Sequence, residues 1–155
     1  MGQQAAIANR AYRNARLTLP PLPAIVALYQ TCIALIMKAR DARLANRRDE
    51  EFAMNVKAIL ILEGLKSNLD RSTPALQDMS GNLSAFYDRA VAQIHLAQRL
   101  RGQDSLDRYD SLHRQLLEML EAWKLVLATV DSRGAASTSP SAGPAATAAA
   151  RRRDA

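Results

Sequence analysis

A chain of 155 residues with 48% apolar composition is long enough for one domain with a buried core and too apolar to be disordered throughout. Its aromatic content of 5% suits aliphatic helix packing better than a β-sandwich. The net charge of +6 invites a nucleic-acid reading, but +2 of it comes from residues 131–155, where four arginines face two aspartates, and Arg10, Arg13 and Arg16 load the other end.

Residues 1–19 lack a strong period and read as a flexible N-terminal arm carrying Tyr12. Ala6 stands where a myristoylation pattern needs Ser or Thr, and no apolar run follows a basic start, so a cytoplasmic protein is expected. Pro20, Pro21 and Pro23 suit the opening turn of a first helix, which the spacing of Ile25, Leu28, Cys32, Leu35, Ala39 and Ala42 carries to about Arg47. Cys32, the single cysteine, excludes an internal disulfide and a thiolate zinc site and reads as a small core residue. Asp49 is expected to cap a second helix with the seam Ala58, Leu62, Leu65, Leu69. Phe52, Val56, Ile59 and Ile61 add apolar residues beyond that seam, so this helix is expected to be the innermost. Lys57, Glu63, Lys66 and Asp70 make it too charged for a membrane span.

Ser72-Thr73-Pro74 ends the second helix and opens a third, with Leu76, Met79, Leu83, Phe86, Ala90, Ile94 and Ala97 on one face and Gly102 as its stop. Ser105 is expected to cap a fourth, bearing Tyr109, Leu112, Leu116, Leu120, Trp123, Leu127 and Val130. From Asp131 the composition falls to Ala, Ser, Thr, Pro, Gly and Arg, and residues 131–155 are expected to be a disordered tail. The pattern predicts an all-α fold: an antiparallel four-helix bundle over residues 20–130 between the arm and the tail.

Catalysis finds no support. The two histidines, His95 and His113, lack the Glu-x-x-His context of a di-metal bundle site, and no glycine loop is shaped to cradle phosphate. Arg40, Arg43, Arg47, Arg48 and the Arg151-Arg152-Arg153 run could hold phosphate, but no aromatics interleave with them to stack bases. The apolar excess of the first two helices leaves two readings: a wide stripe in a tightly crossed bundle, or an exposed groove for an amphipathic partner segment.

Several stretches decide between them. Tyr12, Thr18, Pro21 and Leu28-Tyr29-Gln30 fall in order, followed by Lys57-Ala58, Ile61-Leu62, Leu65 and Leu69-Asp70. Asn82-Leu83-Ser84-Ala85-Phe86-Tyr87-Asp88, Leu96-Ala97-Gln98 and Met119-Leu120 leading to Trp123 complete the set. This ordered series, over about residues 12–126, resembles the FliS family of flagellar export chaperones. Gln30 in place of an acid, Gly64 in place of a Glu, Leu76-Gln77 in place of a glycine pair, and the basic tail depart from the family pattern and mark a divergent member.

The resemblance implies a cytoplasmic chaperone, not an enzyme, that binds the C-terminal segment of flagellin in apolar grooves. It would prevent premature polymerisation and deliver the subunit to the flagellar type III export gate. No cofactor, metal or small-molecule substrate is expected, nor nucleic-acid binding or membrane insertion. Flagellin contacts fall by this resemblance on Tyr12, Lys57, Ala58, Ile61, Leu62, Leu65 and Tyr87, with Ile61 and Leu62 as apolar floor, Lys57 at the rim and Tyr12 on a mobile arm. Leu28, Tyr29, Asn82, Leu83 and Trp123 are expected at helix junctions. The competing reading is a helical-bundle adaptor or nucleic-acid-associated protein acting through its basic ends.

Overall fold

Breaks in the apolar periodicity leave room for four helices and three short connections, and neighbours joined so briefly must run antiparallel. The computed structural model describes residues 22–137, without the side chains of Ala75, Leu76 and Ser137. It contains α1 (Leu22–Leu44), α2 (Arg48–Ser67), α3 (Pro74–Arg99) and α4 (Gly102–Ser137), with no strand among the described residues. The arm with Tyr12, the seam position Leu76 and the tail beyond Ser137 lie outside the described residues or side chains.

Helices α1 and α3 each pack against α2 and α4, so the four occupy the corners of a square with α1 diagonal to α3 and α2 diagonal to α4. The interior is filled from all four: Tyr29, Cys32, Ile36 and Ala39; Ala58, Leu62 and Leu65; Tyr87, Ala90, Ile94 and Ala97; Tyr109, Leu112, Leu116 and Leu120. On α2 and α4 these are positions of the expected seams; on α1 and α3, Tyr29, Ile36 and Tyr87 join the interior beside the expected Cys32, Ala39, Ala90, Ile94 and Ala97, while the expected seam residues Met79 and Val130 are about half exposed. The expectation that α2 is innermost is corrected: α1 buries seven residues, Tyr29, Cys32, Ile33, Leu35, Ile36, Ala39 and Ala42, whereas α2 keeps Phe52, Val56 and Leu60 at its surface. α1 is also long and apolar enough to cross a membrane, with 22% of that apolar window buried in the bundle.

Helix ends differ from the sequence expectation for local reasons. α1 stops at Leu44, because Asn46 adopts a left-handed φ of 59°. The Arg47 amide then donates to the Ala42 carbonyl at 2.8 Å and the Asn46 amide to Arg43 at 3.0 Å. This is a Schellman closure with asparagine in the glycine position. α2 therefore restarts at Arg48, with Asp49 inside its first turn rather than capping it; Asp49, Glu50 and Glu51 complement the positive end of the helix dipole. At the other end of α2 the Ser67 hydroxyl and the Asn68 side-chain amide both donate to the Gly64 carbonyl, at 2.9 and 2.8 Å, and end the helix ahead of Ser72.

Gly102, expected to stop α3, is the first residue of α4, with φ 59°. Ser105, expected as the cap of α4, is buried in its first turn and instead closes α3: its hydroxyl donates to the Ala97 carbonyl at 2.7 Å. α4 itself runs on to Ser137, past the expected boundary at Asp131, since each residue added to a formed helix gains a backbone hydrogen bond without a new nucleation cost.

Candidate binding surface

The two ends of the bundle are built differently. At the end made by the α1–α2 and α3–α4 turns, Arg43 is almost wholly buried and donates to the carbonyls of Ala97 (2.8 Å) and Leu100, to the Ser105 hydroxyl (2.9 Å) and to Glu51 (3.2 Å). Carbonyls orphaned at the end of α3 are thus satisfied from α1. Glu51, 2% exposed, also accepts from Arg48 (3.1 Å) and from the Tyr109 hydroxyl (2.7 Å), and Asn55 donates to Tyr109 at 2.7 Å. Burial holds the Tyr109 phenol well above its ordinary value, and the Glu51 carboxylate adds to this against the opposing Asn55 amide.

That network answers the question posed by the arginine cluster. Arg40 is paired with Asp110 at 2.6 Å, Arg43 and Arg48 with Glu51, and Arg47 with Glu50 at 2.9 Å. Cations committed to carboxylates in their own bundle are poor phosphate ligands, so the cluster reads as structural. A cleft of about 500 Å³ beside it is lined by Arg43, Leu44, Arg48, Arg101 and Leu106.

A second polar pair crosses the bundle nearer its middle. The Tyr29 hydroxyl donates to that of Tyr87 at 2.9 Å, with ring centroids 6.3 Å apart. Burial raises the Tyr29 phenol, with the Tyr87 hydroxyl adding to the rise, and burial likewise raises Tyr87. Beside them Cys32, fully buried, is pushed up to about 12 by burial, and a thiol so far from ionising is no nucleophile.

The expected contact residues separate into two groups. Ala58, Leu62 and Leu65 face the core, and Tyr87 is held there by Tyr29, so these four are placed beneath any surface rather than on it. Ile61 is half-buried and packs on the core, and Lys57 is exposed. Of the expected junction residues, Tyr29 is buried and Leu28, Leu83 and Trp123 pack against the core, whereas Asn82 is exposed.

What the seam-based reading passed over is the opposite face of α2. Phe52 (63% exposed), Val56 (38%) and Leu60 (66%) recur every fourth residue, and such a spacing draws one stripe along a helix of 3.6 residues per turn. The stripe is about 12 Å long, with half-buried Ile59 on one side and the charges of Lys57 and Glu63 flanking it. The signal was in the sequence as the apolar excess of α2. Its outward direction was not. Large side chains exposed at helical spacing make a face that an amphipathic helix can cover.

Compared with known families, residues 3–130 match flagellar protein FliS. The chain belongs to the FliS family. That is a family of flagellar chaperones built as helical bundles, and the match takes in all of α1 to α3 and most of α4, including the stripe on α2. No curated protein matches the chain.

Proposed function

We propose that this protein is a cytoplasmic flagellar export chaperone that holds the C-terminal segment of flagellin and keeps it from polymerising before type III export. The observation that carries the reading is the Phe52–Val56–Leu60 stripe, an apolar helix face unpartnered among the described residues, on a member of a flagellar chaperone family. A terminal segment that is disordered when free and amphipathic when ordered would lay its own apolar face along this stripe. Ile59 and Ile61 would widen the contact and Lys57 would stand at its rim. Ala58, Leu62, Leu65 and Tyr87 would support it from below, and Tyr12 would act from the arm. Binding of this kind needs no cofactor, and the export gate would take over the client by competition.

Calorimetric titration with a peptide of the C-terminal segment of flagellin from the same source tests the reading. One-to-one binding with a negative heat-capacity change, little altered by salt and lost in Phe52→Asp or Leu60→Asp proteins of unchanged helicity, is the expected result. Absence of binding, or binding indifferent to both substitutions, would remove the stripe from the function. A steep loss of affinity with salt would instead favour a partner held by the basic ends.

A further inference from the structure

Opposite the Arg43 network, the far end of the bundle carries three marks of weakness. The first concerns glycine. Gly64, Gly81 and Gly134 all lie inside helices at this end, none with a positive φ, and a Cβ built on any of them would meet nothing within 4 Å. Neither backbone geometry nor close packing therefore requires glycine there, yet each costs helix stability relative to alanine. The second mark is that seam positions run out of cover: Met79 on α3 is 50% exposed and Val130 on α4 is 49% exposed. The third is that α2 stops short, with its last turn closed by Ser67 and Asn68 on the Gly64 carbonyl, so a six-residue connection rather than a helix faces the start of α3. Of the neighbouring pairs, α2 and α3 also approach one another least.

We propose that the α2–α3 corner, from Gly64 to Gly81, is a latch that unfolds locally as one unit while α1 and the Arg43-pinned end stay closed. Its opening bares Leu65 and Leu69, on the core side of α2 away from the stripe, and Leu83 of α3, and so offers an amphipathic segment a second apolar surface. This last use rests on the chaperone reading; the opening itself does not. Local unfolding draws on regions with weak helix propensity and little burial; what ties this corner is the Lys66–Asp88 pair (2.5 Å), Gln77 on the Arg71 carbonyl (3.3 Å) and the Ser80 hydroxyl on the Asp70 carbonyl, against the denser network of the pinned opposite end.

Hydrogen exchange on the full chain, wild type against Gly64→Ala, Gly81→Ala and the double variant, tests this. In the wild type, amides from Gly64 to Gly81 should exchange far faster than those of Tyr109 to Leu116. Each alanine should slow the corner about fivefold and the pair about 25-fold, and amides of the α4 core that open only in global unfolding by no more than the same factors. If the corner is one unit, Gly64→Ala alone slows exchange at the start of α3 as well as in the last turn of α2. Corner amides that exchange as slowly as the α4 core, or an effect of Gly64→Ala confined to α2, would overturn the proposal. The same proteins titrated with the flagellin peptide separate the two readings. Weaker binding by the double variant is the expected cost of a less populated open state. Unchanged affinity despite slowed exchange would sever the latch from the client. Failure of every protein to bind would sink the chaperone reading, while the exchange data still decide the latch.

Discussion

Tyr29 and Tyr87 join hydroxyl to hydroxyl at 2.9 Å across a diagonal of the bundle, linking α1 and α3, whose backbones are not neighbours. Asn55, Tyr109 and Glu51 do the same across the other diagonal. Phenols long enough to span the core thus brace a square that pairwise packing alone would leave free to shear.

Removing one hydroxyl of the tyrosine pair strands the other in the core. Tyr29→Phe or Tyr87→Phe should each cost about 1–3 kcal/mol, and the double substitution clearly less than their sum, because both partners are then gone. Urea unfolding of the four proteins closes the cycle. Additive losses would mean that the two hydroxyls do not depend on each other.

The Arg43–Glu51 pair sets a larger expectation. With side-chain exposures of 8% and 3%, it is a buried ion pair, and taking away the acid leaves a guanidinium in the core with only carbonyls and a hydroxyl. Glu51→Ala should destabilise the protein by about 3–5 kcal/mol. Thermal unfolding followed by circular dichroism measures this, and a loss below about 1 kcal/mol would show that solvent reaches Arg43.

Alkaline pH should attack the core before the surface. Cys32, Tyr29, Tyr87 and Tyr109 all have folded-state values raised above their unfolded ones, chiefly by burial. The unfolded chain then loses protons first as pH rises, so stability is intact below about pH 9 and falls progressively above it. Tyrosinate absorbance at high pH should therefore grow cooperatively with loss of helicity. Cys32→Ala should move the onset upward, since the thiol is the first of these groups to ionise when unfolded. Tyrosinate signal from Tyr29 or Tyr87 in a protein that keeps its full helicity would contradict their burial.

On α2 the two faces should respond oppositely to the same chemistry. Leu62→Asp, at a fully buried position, should abolish folding, and Ile61→Asp, half-buried against the core, should lower stability measurably. Phe52→Asp and Leu60→Asp should leave the unfolding midpoint nearly unchanged while removing the flagellin peptide. Peptide binding that survives at Phe52→Asp but fails in a fully folded Ile61→Asp protein would move the contact to the α1-facing flank.

Helix number and seam residues could be read from the sequence, because 3-4 spacing is a local property that the fold has only to respect. Ala58–Leu62–Leu65 and Tyr109–Leu112–Leu116 are buried as that spacing requires. Helix ends could not be read as well. They turn on competition for single carbonyls: Asn46 entering the left-handed region, Ser67 and Asn68 claiming Gly64, and Ser105 serving α3 from within α4. The site suffered for a related reason. Motifs picked out by resemblance lay mostly on the seam, where packing constrains them, so the reading of α2 gathered Ala58, Leu62 and Leu65. Meanwhile Phe52, Val56 and Leu60 were visible only as surplus hydrophobicity. Nor does any local pattern pair residues 58 apart, as Tyr29 and Tyr87 are.

The pairing of α1 with α4 bears on how the chain is made. Arg40 meets its partner Asp110 only 70 residues later, which at ordinary rates of synthesis is a wait of roughly 4 to 14 s. Throughout that interval the chain carries a helix apolar enough to enter a bilayer, with α2 alone available to cover it at first. Closure of the α1–α2 hairpin at Asn46 would then be the first cover α1 receives, so the residues that turn this corner are expected to matter for early folding as well as for final stability.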